Sequence, residues 1–269
     1  MKSNKKLYAV LTASVAFILA LASFITMPTP VFATNASTVA YNWYAKRNSE
    51  HTMPRLEPQF SFICKYDAFY GDAKAAASGD KVIYLTFDAG YENGNIARIL
   101  DTLKKHDVPA AFFVLKNLAV RSPELVKRMA EDGHLVCNHT ATHPNMTKIT
   151  DKTEFARQLS SLHDTVKQNC GIETSKFYRP PEGAFSEQNL QYAVELGYKT
   201  VFWSFAYADW NNNKQPSRED AIKKILDNVH PGEIMLLHPT SKTNADILDE
   251  VITRLKAEGY RFASLNEIC

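Results

Sequence analysis

Cysteine is scarce in this chain of 269 residues, with only Cys64, Cys137, Cys170 and Cys269, and no two of them form a CxxC pair. A zinc ribbon and a dithiol redox centre are thereby excluded. Charge of one sign is lacking too: the net charge is +2, with no arginine-rich stripe and no zinc-finger spacing. Nothing therefore implies a nucleic-acid partner. No GxGxxG follows the first strand pattern, which argues against a dinucleotide site. Neither GxSxG nor HExxH occurs, so the serine-hydrolase elbow and the zincin helix are absent.

What is present begins with an export pattern. Lys2, Lys5 and Lys6 precede an apolar stretch from Leu7 to Met27, then Pro28 and Pro30, and Val31-Phe32-Ala33 is a small-residue cleavage site. Residues 1–33 are expected to be a signal peptide, with an uncleaved membrane anchor as the alternative, since the stretch is long enough to span a bilayer. Either way the remainder is secreted or membrane-anchored and works outside the cytoplasm. Export permits disulfides, but the pairing of the four cysteines stays open. Cys137 lies in an apolar run and is expected to be a buried thiol.

Residues 34–80 read as an irregular arm. They carry Trp43, Tyr44, Phe60, Phe62, Tyr66, Phe69 and Tyr70, too many aromatics for a free linker, so the arm is expected to pack on the domain. From 81 to 269 strand and helix patterns alternate. Short apolar runs at 82–87, 110–115, 134–137, 176–178, 200–205, 233–237 and 260–263 read as strands. Ile96, Ile99, Leu100 and Leu103 recur at helical spacing. Ser122-Pro123-Glu124 opens a second helix with an N-cap and a proline in its first turn. Further helices fit 153–169, 186–196, 217–228 and 243–258. The alternation predicts an α/β fold, with about seven parallel strands in a barrel or a doubly wound sheet.

Five strand patterns end at or beside a polar residue: Asp88, His139, Arg179, Asp209 and His238. Active sites of such folds form at the carboxyl ends of strands. Each residue alone has a plain structural reading. Asp88 suits a helix cap, Arg179 a turn before Pro180-Pro181, His238 a core position and Asp209 the surface. In HTATH, His139 and His143 stand four apart, a spacing that brings two imidazoles to one metal when the segment is helical or tightly turned. Taken together, two imidazoles, two acids, an arginine and a further histidine describe metal-assisted hydrolysis.

The ordered segments TFDAG, HTATH, RPPEGAF, DW and LLH, over residues 80–268, resemble the five motifs of the polysaccharide deacetylases, carbohydrate esterase family 4 or NodB homology domain. The resemblance implies a distorted (β/α) barrel that removes N-acetyl groups from amino sugars. It implies Asp88 as catalytic base, Arg179 as the base's ion-pair partner, and His238 as general acid tuned by Asp209. His139 and His143 are implied as ligands of a divalent metal, zinc by ligand type. Ala89 stands where the family usually carries an acidic metal ligand, so metal binding is expected to be weak, and Ala206 also occupies an often acidic position. The longer segments KYDAFY, TFDAGYENG, RPPEGAFSE, TVFWSFAYADW and LLHPTSKTNAD resemble the muramic acid deacetylases of spore-forming bacteria.

The substrate so implied is N-acetylmuramic acid in peptidoglycan glycan strands after stem-peptide removal, leading to muramic δ-lactam in the cortex of the forespore. The alternatives are a deacetylase of N-acetylglucosamine in peptidoglycan or chitin fragments, and a wall-binding protein without catalysis. Glu182, near the motif arginine, would repel an anionic lactyl group, and Lys214, Arg218 and Lys242 are candidates to offset it.

Overall fold

The computed structural model describes residues 36–268. The proposed signal peptide or anchor and Cys269 lie outside the described residues. Eleven strands occur among those described: β1 (Tyr41–Asn42), β2 (Ala68–Phe69), β3 (Val82–Ala89), β4 (Ala110–Val114), β5 (Leu135–Asn138), β6 (Phe177–Tyr178), β7 (Ala184–Phe185), β8 (Lys199–Val201), β9 (Phe205–Ala206), β10 (Glu233–Leu237) and β11 (Arg261–Phe262). Nine form one sheet in the order β2-β8-β6-β5-β4-β3-β10-β9, with β11 beside the start of β3. Every pairing in it is parallel. Parallel pairing brings the carboxyl ends of successive strands to one rim. The sheet curls into the distorted (β/α) barrel that the resemblance implies; the alternation alone leaves a barrel or a doubly wound sheet open.

The sheet has two apolar faces, which is why its strands read as continuous apolar runs. Ile83, Leu85, Phe87 and Ala89 of β3 join Ala110, Phe112 and Val114 of β4 in one cluster. It is covered by Ile99, Leu100 and Leu103 of the helix Ile96–His106 and by Ile247, Val251 and Leu255 of the helix Lys242–Ala257. Val82, Tyr84, Ala111 and Phe113 belong to the cluster on the opposite face. Phe87 stacks on Phe112 at 5.0 Å between ring centroids, and burying each ring stabilises the fold by about 1.5–3 kcal/mol.

Two readings need correction. The apolar run 200–205 is not one strand but breaks into β8 and β9. The carbonyls of Val201 and Phe202 accept hydrogen bonds from the Arg179 guanidinium instead, at 3.0 and 3.2 Å. Pro123 opens its helix as expected, but the Ser122 side chain makes no capping bond. The segment Lys116–Arg121, unassigned by periodicity, is also helical.

Residues 36–70 lie against the barrel. β1 pairs antiparallel with β7. Trp43 stacks on Phe202 with centroids 4.5 Å apart. Its ring nitrogen donates to the Trp203 carbonyl at 2.9 Å, and its amide donates to the Gly183 carbonyl at 2.8 Å. Cys64, Cys137 and Cys170 are free thiols. Cys137 is fully buried, and burial pushes its pKa up. No helix among the described residues is long and apolar enough to cross a membrane.

At the opposite end of β10, Glu233 is wholly buried, and its Oε1 has no hydrogen-bond partner. Burial pushes its pKa well above the ordinary value of 4.5. A folded state that holds this proton loses stability as pH rises from the unfolded pKa toward the folded one. The slope approaches about 1.4 kcal/mol per pH unit. Glu233→Gln removes the titration, so its stability relative to the parent is expected to climb with pH above that unfolded value. Urea unfolding of both proteins across pH checks this, and parallel profiles would contradict it.

Candidate active site

The carboxyl rim of the sheet opens into a cleft of about 780 Å³ that Asp88, His139, His143, Glu182 and His238 line together. Asp88 is the penultimate residue of β3, while His139, Arg179 and His238 directly follow β5, β6 and β10. Four strand ends scattered along the chain thus meet, and Asp209, in the segment after β9, joins them through His238.

Arg179 lies behind Asp88, does not line the cleft and has no exposed surface. Its Nη1 donates to Asp88 Oδ1 at 2.8 Å, its other nitrogens serve the two carbonyls described above, and the guanidinium lies over the Phe113 ring at 4.1 Å. Burial of Asp88 opposes ionisation, but the positive charge around it, with the Arg179 guanidinium at 2.8 Å, outweighs burial and holds the pKa below the usual carboxylate value. Asp88 is therefore a carboxylate.

His139 Nδ1 lies 2.9 Å from the Arg179 carbonyl. A carbonyl only accepts, so Nδ1 carries the hydrogen and Nε2 is a lone pair. That lone pair is 3.5 Å from Asp88 Oδ2. Burial lowers the His139 pKa to about 4, despite the attraction of Asp88. Two acceptors thus face each other across a gap, an arrangement that a cation between them would relieve.

His143 is not on a helix. Thr140 and His143 both have positive φ, 75° and 58°. The Thr140 amide donates to Asn138 Oδ1 at 2.9 Å, and the His143 amide donates to Thr140 Oγ1 at 3.0 Å. This tight turn brings the imidazole centroids within 5.1 Å. Among the described residues no group of three or more histidine, cysteine or acidic side chains is gathered to hold a metal ion. The donor chemistry of His139 and His143 fits a divalent ion such as zinc, as an incomplete protein ligand set.

Ala89 has no exposed surface and packs in the apolar cluster with Phe87 and Val114. Its neighbours Asp88 and Gly90 line the cleft, but its methyl does not.

Across the cleft, His238 Nδ1 donates to Asp209 Oδ1 at 2.7 Å, and the His238 amide donates to Asp209 Oδ2 at 2.7 Å. Burial disfavours the imidazolium, but the Asp209 carboxylate outweighs it and raises the His238 pKa. Nε2 is left as the ring nitrogen for the cleft. Asp209 is buried, not at the surface.

Sequence reasoning missed Asn244. Its Nδ2 donates to Asp209 Oδ2 at 2.6 Å and to the His238 carbonyl at 3.1 Å, while Tyr207 donates to its Oδ1. It stands in the quoted LLHPTSKTNAD segment, but an uncharged amide near a helix start carries no sign of this role. Trp203, Tyr207, Trp210, Tyr91 and Leu115 also line the cleft and were not singled out. Lys214, Arg218 and Lys242 do not line it. Lys242 pairs with Asp246 at 2.5 Å, and Arg218 donates to the Asp246 carbonyl at 2.9 Å.

The polysaccharide deacetylase family profile matches residues 75–201. Over 229 residues the chain is 43% identical to the peptidoglycan-N-acetylmuramic acid deacetylase PdaA of Bacillus subtilis, covering 84% of this chain and 85% of that protein. The chain belongs to the polysaccharide deacetylase family. The solved structure of Bacillus subtilis PdaA, a family 4 carbohydrate esterase, superposes with a TM-score of 0.81 at 41% identity, covering 86% of this chain and 97% of that one. A peptidoglycan-N-acetylglucosamine deacetylase of Bacillus cereus is 36% identical over 211 residues, 77% of this chain and 73% of the relative. The similar enzymes of this family thus act on both sugars of peptidoglycan.

Proposed function

We propose that this deacetylase hydrolyses the N-acetyl group of N-acetylmuramic acid in peptidoglycan glycan strands. The observation that carries the proposal is one cleft lined by an arginine-held carboxylate, two imidazoles and an aspartate-held histidine. Asp88 accepts a proton from the attacking water at Oδ2, with Arg179 keeping it ionised. His238 donates a proton from Nε2 to the sugar nitrogen as the carbon–nitrogen bond breaks. Acetate and a primary amine result. A divalent ion held by His139 and His143, zinc by ligand type, would polarise the acetyl carbonyl and lower the pKa of the water.

The similarity to PdaA supports the muramic assignment. In this reading the amine so formed condenses with the neighbouring lactyl carboxyl, with loss of water, to give muramic δ-lactam, and the protein works outside the cytoplasm, in the cell wall or the forespore cortex. An N-acetylglucosamine substrate is the second reading. Glu182 favours it, as a carboxylate on the cleft with no lysine or arginine lining beside it. Mass spectrometry of glycan strands treated with the protein, digested to disaccharides, assigns the lost acetyl group to one sugar. Loss from muramic units is expected, and loss confined to glucosamine would overturn the assignment.

The two-imidazole set also gives a test at position 89. An Asp there places a carboxylate in the apolar layer, on the other side of β3 from the Asp88 side chain. Without metal, Ala89→Asp is expected to melt below the parent, by an amount corresponding to about 1–3 kcal/mol for a poorly partnered buried polar group. Zinc is expected to raise the melting temperatures of the variant and the parent by equal amounts, because the side chain at 89 faces the apolar layer and not the cleft with His139 and His143. A larger zinc shift in the variant would mean that position 89 reaches the metal.

A further inference from the structure

Between β8 and β9 the chain leaves the sheet at Phe202, Trp203 and Ser204. Buried backbone groups freed from a ladder need other partners. The carbonyls of Val201 and Phe202 find theirs in Arg179, at 3.0 and 3.2 Å. The Trp203 carbonyl accepts from the indole nitrogen of Trp43 at 2.9 Å. The Phe202 amide donates to the Phe69 carbonyl at 2.8 Å, and the Thr200 amide donates to the Asp67 carbonyl at 3.1 Å. The stretch that holds Arg179 is thus itself held by the arm.

Trp43 supplies the side-chain part of that hold. Its ring stacks on Phe202 with planes 20° apart, and it meets Phe60 and Tyr70 at 5.1 and 5.2 Å between centroids. Trp43 and Phe202 are both buried. A stacked ring with a bonded N–H fixes orientation as well as adding buried area. From Phe202 the chain of contacts is short: its carbonyl accepts from Arg179, and Arg179 donates to Asp88 at 2.8 Å. Trp43 does not line the cleft, so it acts only through these neighbours. It also lies outside the residues 75–201 that the family profile matches.

We infer that Trp43 is a positioning residue for the deacetylation. Through it the arm fixes the Phe202–Trp203 backbone, which orients the Arg179 guanidinium and so sets the place of the Asp88 carboxylate in the cleft. The inference rests on the reading of Asp88 as the base, whichever sugar is deacetylated. The guanidinium is a rigid planar fork, so a shift in its acceptors turns the whole group. A base displaced by about 1 Å costs up to about 10²-fold in rate. The loss belongs to kcat, because the base acts on the water as the reaction proceeds. The cleft wall at Gly183 is held instead by the Trp43 amide and by the β1–β7 ladder, which a side-chain change leaves in place.

The test measures acetate release from peptidoglycan strands by zinc-loaded parent, W43F, W43L and I63A. Ile63 is fully buried in the same arm and does not line the cleft, so I63A controls for lost packing. Thermal melts set an assay temperature at which each variant is folded. W43L lacks both the ring and the donor, and its kcat is expected to fall by about 10–10²-fold with KM within about threefold of the parent. W43F keeps a ring to stack, and its kcat is expected to lie within about fivefold below the parent, the scale of one neutral hydrogen bond. I63A is expected to keep the parent kcat. Parent kcat in W43L, a loss in KM alone, or an equal kcat loss in I63A overturns the inference and leaves the proposed function standing. Should W43L not fold, W43F decides, and parent kcat in it overturns the inference. No acetate from the parent overturns the proposed function and the inference with it.

Discussion

Asp88→Asn is expected to lower kcat by about 10²–10⁴-fold, the usual worth of a general base. The amide keeps the shape of the side chain but cannot take the proton. The structure adds a second consequence. Arg179 is fully buried, and Asp88 supplies its counter-charge at 2.8 Å. Removing one partner of a buried ion pair costs roughly 3–5 kcal/mol, and an Asn oxygen that still accepts a hydrogen bond moderates that. The variant should therefore be inactive and also melt earlier. Replacing Arg179 with Met in the same chain removes the stranded cation, so the double variant should be more stable than the two single losses sum to, while staying inactive. Chemical unfolding and steady-state kinetics on the four proteins separate the effects. Near-parent kcat in Asp88→Asn would show that another group is the base.

The second large effect is expected at Asp209. This carboxylate accepts from His238 Nδ1, the His238 amide and Asn244, and it has no exposed surface. In Asp209→Asn the charge that raises the His238 pKa is gone, and the new amide has donors where its neighbours also donate. His238 must be protonated to act as the acid, so activity falls as pH rises through its folded pKa. Lowering that pKa moves the fall to lower pH. The expected result is a loss of about 10²–10⁴-fold in kcat at neutral pH, with the alkaline limb of the pH profile displaced toward acid. A reduced kcat with an unmoved alkaline limb would mean that Asp209 only supports the fold and does not tune His238.

Much of the fold is legible in local pattern. Ile96, Ile99, Leu100 and Leu103 repeat at helical spacing because they all face one sheet surface, and the strand Glu233–Leu237 has the bounds that its apolar run implies. The pattern misleads where backbone groups bond to a side chain. Val201 and Phe202 are apolar enough for a continuous strand, but their carbonyls satisfy the Arg179 guanidinium, so the ladder breaks there.

The same contrast holds in the cleft. Asp88, His139, His143, Arg179, Asp209 and His238 are charged or titratable residues near apolar runs, which local sequence displays. Asn244, Tyr207 and Trp43 act through partners 35 or more positions away, and neither their residue type nor their spacing marks them. Ala89 was legible as a missing acid, but its burial on the apolar side of β3 depends on packing.

The central claim is that this cleft performs hydrolysis and does not merely hold glycan. It is tested most directly by incubating purified peptidoglycan strands with the zinc-loaded protein and measuring free acetate together with new primary amines on the glycan. Acetate and amine are expected to rise together in equal amounts, and neither should rise with Asp88→Asn. Retention of the strands by the protein with no acetate released would contradict the account and identify a wall-binding protein that keeps the fold without the chemistry.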